Sequence, residues 1–198
     1  MNFSNHMKTK NLLPLVLLAV SLASVKATTV VPPTFDQLVQ QAELVFQGTV
    51  MDVKSVWEGQ GAQSHIETYV TFQVAENVKG DAGASYTIRM LGGKVGEDAL
   101  IVDGAPRFEV GDREILFVEH NYDQFVPLVG IAHGRFHVQS DEATGRDIIV
   151  NDEGEPVKNV AKLGHEEQSA TAAEALSPDQ LKSAVKEQLK TQADRAAQ

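Results

Sequence analysis

The chain has 198 residues, 42% of them hydrophobic and 22% charged, with 17 lysine and arginine residues against 27 aspartate and glutamate residues. That is enough for one medium domain with tails, and the composition is globular rather than disordered. No cysteine is present, which excludes disulfides, thiolate catalysis, cysteine zinc sites and lipidation of an N-terminal cysteine.

The first segment reads as an export signal. Lys8 and Lys10 lie in an acid-free start, Leu12 to Ala23 is a 12-residue apolar run, and Val25-Lys26-Ala27 offers a cleavage site. The run is shorter than the roughly 20 residues needed to cross a bilayer. Residues 1–27 are therefore expected to leave as a signal peptide, with Ser21-Leu22-Ala23 as a second candidate cut. The protein would act in the periplasm or as a secreted protein, with no membrane span after cleavage. Loss of three lysines and no acid takes the formal charge from −10 to −13. So acidic a chain repels phosphate backbones and anionic lipid, so nucleic acid is not an expected partner.

Thr28-Thr29-Val30-Val31-Pro32-Pro33 is an extended entry, because each proline pushes its predecessor out of helical space. Thr34 with Gln37 forms a capping-box pattern, and Phe35, Leu38, Val39 and Ala42 draw one apolar stripe. A short helix is expected from Phe35 to about Ala42. The period then changes. Leu44 to Trp57 reads as a long strand, bent or bulged near Gly48. Ile66 to Val74 alternates and is the clearest half-buried strand. Tyr86 to Met90 is a third. Gly92 to Pro106 reads as loop with a short strand near Leu100 to Val102. Ile115 to Val118 is a buried strand, Phe125 to Leu128 pairs back, and Phe136 and Val138 return through Thr144-Gly145 to Ile148-Ile149-Val150.

After Asn151 the composition turns polar, and residues 151–176 read as a linker. Ser177-Pro178-Asp179-Gln180 combines an N-cap, proline at N1 and glutamine at N3, opening a helix over 177–193. Only Leu181, Val185 and Leu189 mark its apolar face. The expectation is a helix that docks weakly or stays solvated, a dispensable tail.

Candidate chemistry is sparse. His133 and His137 are four apart, which on a strand places them about 13 Å from each other, too far to share one ion. His65, His120 and His165 lack a partner at ligand spacing, and no His-Glu-x-x-His run occurs. There is no Gly-x-Ser-x-Gly elbow. Gly92-Gly93-Lys94-Val95-Gly96 lacks the ending and the following helix of a phosphate loop. No catalytic residue, metal or cofactor is assigned from these patterns. An enzyme with an unrecognised site is the remaining alternative to a binding role.

Three segments, in this order, carry a resemblance. Ala42-Glu43-Leu44-Val45-Phe46-Gln47-Gly48-Thr49-Val50 resembles the first strand of netrin-like modules, the fold of the tissue inhibitors of metalloproteinases. Val70 to Gly80 is similar to their second strand, which ends in a lysine-glycine turn. Phe108-Glu109-Val110-Gly111-Asp112-Arg113-Glu114-Ile115-Leu116-Phe117 is similar to a later strand entry. The resemblance implies an all-β, OB-type (Greek-key) β-barrel over 28–150, with a short N-terminal helix and a C-terminal helical tail. It also implies a role for the mature N-terminus. The inhibitors begin Cys-x-Cys-Val-Pro-Pro, whereas Thr28 and Val30 stand at those cysteine positions here. In the family, the first residue caps a protease's catalytic zinc through its free amine and carbonyl. A threonine amine with a pKa of about 8 suits the same task. Thr28, Thr29, Val30, Val31, Pro32 and Pro33 are thus the expected protein-contact residues. The expected function is an exported, non-enzymatic protein-binding module. Its sharper alternative is an inhibitor of an extracytoplasmic zinc metalloprotease.

Overall fold

We describe residues 31–165 and 170–197 from a computed structural model. The expected signal, residues 1–27, lies outside that range, as do Thr28, Thr29 and Val30. The described residues belong to a compact unit that begins at Val31.

Helix α1 (Phe35–Gln41) starts where the capping box places it. Thr34 Oγ1 accepts from the Gln37 N–H at 3.3 Å, and Gln37 Oε1 accepts from the Thr34 N–H at 2.9 Å. Its other end is held from a distance. The Lys79 ammonium donates to the carbonyls of Val39, at 2.8 Å, and Ala42. A cation on these terminal carbonyls satisfies groups the helix itself leaves unbonded. Burial there pulls the Lys79 pKa below its ordinary value.

The strands β1 (Leu44–Glu58) and β2 (His65–Lys79), 15 residues each, form one long antiparallel pair. Its register shifts at Val45/Phe46, Gln47/Gly48 and Val50/Asp52. Gly48 meets the bend expected of it: a side chain there would lie 2.9 Å from the Gln73 carbonyl oxygen. Then come β3 (Ser85–Leu91), a small hairpin of β4 (Gly93–Val95) and β5 (Asp98–Leu100), β6 (Arg113–Val118), β7 (Arg135–Ser140) and β8 (Asp147–Val150). The hairpin takes part of the glycine-rich stretch that reads as loop in the sequence. Six strands form one antiparallel sheet in the order β3-β2-β1-β6-β7-β8, while β4 and β5 pair separately.

The expected closed barrel is not what the strand ladder forms: the six-stranded sheet is open, with β3 and β8 at its edges. The stretch expected to pair back, Phe125 to Leu128, contributes a single bridge, Leu128 to Val118. Positive φ angles at His120 and Tyr122 before it, and at Gly130 and Ile131 after it, mark the turns that bound it and keep it short.

Both faces of the sheet are covered. On one, Val45, Ile115, Phe117, Phe136, Val138 and Ile149 pack with α1 and with α2 (Pro178–Ala196). On the other, Phe46, Val50, Val70, Phe72, Ile88, Leu116 and Val118 pack under Phe108, Val126 and Leu128 from the connecting segments. This explains why Ile115-Leu116-Phe117-Val118 is apolar without alternation.

Helix α2 docks, unlike the weakly held tail expected from three large apolar residues. Leu181 and Val185 are fully buried against the α1 side of the core. Polar contacts complete the seat. Lys182 Nζ donates to Glu76 at 2.6 Å, and Gln192 Nε2 donates to the Asp36 carbonyl at 3.1 Å. The stretch 151–176, read as a polar linker, supplies hydrogen bonds to the edge strand β8. The Val157 N–H donates to the Ile149 carbonyl at 3.0 Å, and the Ile149 N–H donates to the Leu176 carbonyl at 2.8 Å.

Candidate functional site

Of the expected contact residues, Val31, Pro32 and Pro33 are described. Pro33 is wedged between two glycines that a side chain would drive away. A Cβ on Gly164 would lie 2.6 Å from the Pro33 carbonyl oxygen, and one on Gly130 would lie 3.0 Å from the Pro33 ring. Both glycines also have positive φ, 75° and 63°. Val31, just before, is 80% exposed, and Ile131, next to Gly130, is 37% exposed. A held base thus carries an outward apolar edge.

Pro32 and Pro33 form one wall of a 460 Å³ cavity whose other walls include His133, Arg135, Asp152, Glu153 and Glu155. Arg135, 4% exposed, is the centre of a charged network. Its Nη2 donates to Glu114 Oε1 at 2.8 Å and lies 3.5 Å from Asp112, and its Nη1 lies 3.3 Å from Asp152. The guanidinium stacks 4.1 Å from the Phe108 ring centroid. His137 Nδ1 is 3.1 Å from the same Glu114 oxygen. The second Glu114 oxygen is buried without a hydrogen-bond partner. Register pairing explains the meeting: Glu114 on β6 lies opposite His137, and Leu116 lies opposite Arg135. Three carboxylates already surround Arg135, so the cavity keeps an acidic wall at Asp152, Glu153 and Glu155.

A second cavity of 660 Å³ opens on the opposite side of the sheet, beside the β4–β5 hairpin. Val53, Val70, Met90, Leu100, Val102 and Phe108 give it apolar walls. Two hydroxyls stand among them. Thr68 Oγ1 donates to the Gly92 carbonyl at 2.6 Å, and Ser55 Oγ lies 2.8 Å from Thr68 Oγ1.

A third polar group lies on β2 and β3. Glu67, 5% exposed, accepts from Arg89 Nη1 at 2.7 Å and from the Tyr69 hydroxyl at 3.1 Å, with His65 Nε2 at 3.1 Å. Burial, with these carboxylate contacts, pushes the Tyr69 phenol up to about 12. Arg89 also donates to the carbonyls of Tyr122 and Gln124, tying the turn after β6 to β3.

The histidines go to different partners. His120 sits by Glu43 and Glu119, His133 lines the first cavity, and His137 meets Glu114. Among the described residues, no group of three His, Asp or Glu side chains is placed to hold a metal ion. No helix among them is long and apolar enough to cross a membrane. The Glu114–Arg135 pair and the Ser55–Thr68 pair escape sequence reading. Thr68 stands between Glu67 and Tyr69, Ser55 follows Lys54 and Glu114 follows Arg113, so no local pattern marks either pair. Comparisons of the chain with models of known families, with curated proteins and with solved structures find no match.

Proposed function

We propose that this chain is an exported binding protein, not an enzyme, that meets a partner protein through Val31 to Pro33 and the adjoining loop 130–133, with Thr28, Thr29 and Val30 as the further contact residues expected from the sequence. The observation that carries this reading is the wedge at Pro33 beneath an 80% exposed Val31. A segment held at its base loses less conformational entropy on binding than a loose one. In netrin-like inhibitors disulfides anchor this edge; here Gly130 and Gly164 offer a packing substitute. The acidic wall of the cavity behind it suits a basic side chain of the partner.

The fold belonging to this reading is an OB-type barrel. Its support is a set of contacts across the open side of the sheet. The Leu91 N–H donates to the Phe125 carbonyl at 2.7 Å, and the Arg89 N–H donates to Asn121 Oδ1 at 3.1 Å. With the Leu128–Val118 bridge they support a closure in the order β1, β2, β3, 121–128, β6, β1 beside the open ladder. The inhibitor form of the proposal has the Thr28 amine and carbonyl capping a protease zinc.

The test combines N-terminal sequencing of the exported protein with photo-crosslinking from positions 31 and 131. Both positions should yield one adduct of the same mass, and position 187 on the far side of α2 should not. Adducts that are absent, or equal at position 187, overturn the contact edge. For the inhibitor form, one alanine added before Thr28 should abolish inhibition of a zinc endopeptidase. Equal potency with and without it rejects that form.

A further inference from the structure

The 660 Å³ cavity beside the β4–β5 hairpin carries an inference of its own, independent of the N-terminal edge. The proton positions at its two hydroxyls follow from their partners. A carbonyl oxygen can only accept, so the Thr68 hydroxyl hydrogen is committed to the Gly92 carbonyl, 2.6 Å away. Thr68 then has no hydrogen left for Ser55, so across their 2.8 Å contact Ser55 is the donor. Both hydrogens are spent on protein. What the pair still offers is acceptor lone pairs, and Ser55 Oγ keeps two of them. Thr68 is 8% exposed, so this is an interior polar feature and not a surface hydroxyl.

The surrounding geometry preserves it. Gly93 lies directly over the pair, and a methyl at that position would run into both hydroxyl oxygens. Its φ of 132° is in the region that favours glycine. The walls supply apolar contact from Val53, Val70, Met90, Leu100, Val102 and Phe108. Charge at the mouth balances, with Lys94 and Arg107 against Asp103 and Glu109, so neither an anion nor a cation is favoured. The volume falls in the range of small-molecule sites, which combine apolar walls with a few placed polar groups.

The geometry points to a binding site for a small, uncharged, mainly aliphatic molecule that bears a hydrogen-bond donor, an alcohol in its simplest form, with its O–H directed to Ser55 Oγ. An anion has no donor to give, and an ether leaves the Ser55 lone pairs unmet.

Trp57 is the sole tryptophan and lies two residues along β1 from Ser55, outside the cavity lining, so its emission is read beside the amide shifts. The full exported chain is titrated with 1-octanol, methyl octyl ether, octanoate and octylamine, followed by Trp57 emission and by amide chemical shifts. Octanol should saturate, with shifts centred on Ser55, Thr68 and Gly93. It should bind roughly tenfold more tightly than the ether, the worth of one buried hydrogen bond. Ser55→Ala should bring the octanol affinity down to that of the ether and leave the ether unchanged. Ala99→Phe, at an exposed lining position, should weaken all four. No saturable binding of octanol overturns the site. Ether binding equal to octanol, or tighter binding of octanoate, overturns the donor assignment, as does a Ser55→Ala protein that keeps the octanol preference; tighter binding of octylamine overturns the choice of an uncharged ligand.

Discussion

Leu181→Ala should destabilise this protein by about 3 kcal/mol. Leu181 is fully buried and sits in the cluster that joins α1, α2 and the near face of the sheet. The substitution removes three carbon atoms, at about 0.8 kcal/mol each for transfer to water. The space left between α2 and the sheet adds a cavity contribution, since Phe35, Leu38 and Val39 on α1 have their own partners and cannot close in fully. In a domain of this size the loss corresponds to a melting temperature lowered by roughly 6–12 °C. Urea unfolding followed by far-UV circular dichroism measures it, with an unchanged slope expected. Glu187→Ala is the control on the same helix, because that side chain is 74% exposed and its contact to Lys190 is 3.7 Å. It should fall within about 0.5 kcal/mol of the parent. If both variants unfold at the same urea concentration, α2 does not dock and the account of the core is wrong.

Two further outcomes follow from charged pairs. Arg113 holds the Asp147 carboxyl well below the usual range, at about 2. A depressed carboxylate stabilises the fold above its unfolded pKa of about 4 and loses that contribution as pH falls from 4 to 2. Both side chains are more than a third exposed, so solvent screening leaves about 1 kcal/mol. The stability gap between the parent and Asp147→Asn should close as pH drops to 2, and a gap constant with pH contradicts the pairing. Glu114→Ala removes the carboxylate that Arg135 meets deepest in the protein and should cost about 3 kcal/mol or more. Glu114→Leu combined with Arg135→Met should recover part of that loss in thermal melts. A double variant no better than Glu114→Ala argues against the loss of Arg135's deepest carboxylate partner as the cause.

Much of the local structure was legible. The Thr34 and Ser177 capping boxes were readable because each donor finds its acceptor three residues away. The bend at Gly48 and the alternation of Ile66 to Val74 were readable because side chains on a strand alternate faces. The β4–β5 hairpin was mostly read as loop because glycine-rich composition masks three-residue strands. The docking of α2 was missed because a count of apolar residues omits polar anchors. Lys182 reaches Glu76 from 106 positions away, and Gln192 reaches Asp36 from 156 away. Of the site, only the proline segment stood out. Its hold depends on Gly130 and Gly164, about 100 and 130 positions away along the chain, which no local pattern links to it.

From residue order alone came the caps, the longer strands, the break points and the cystine-free, acidic character, since each rests on composition or on interactions within a few neighbours. The three-dimensional chain alone decided that the sheet runs β3-β2-β1-β6-β7-β8 with β3 and β8 outermost, that Glu114 meets Arg135, and that Ser55 and Thr68 face a cavity. Those results depend on contacts between distant segments, whose free energy is set by how both faces of one sheet are covered at once.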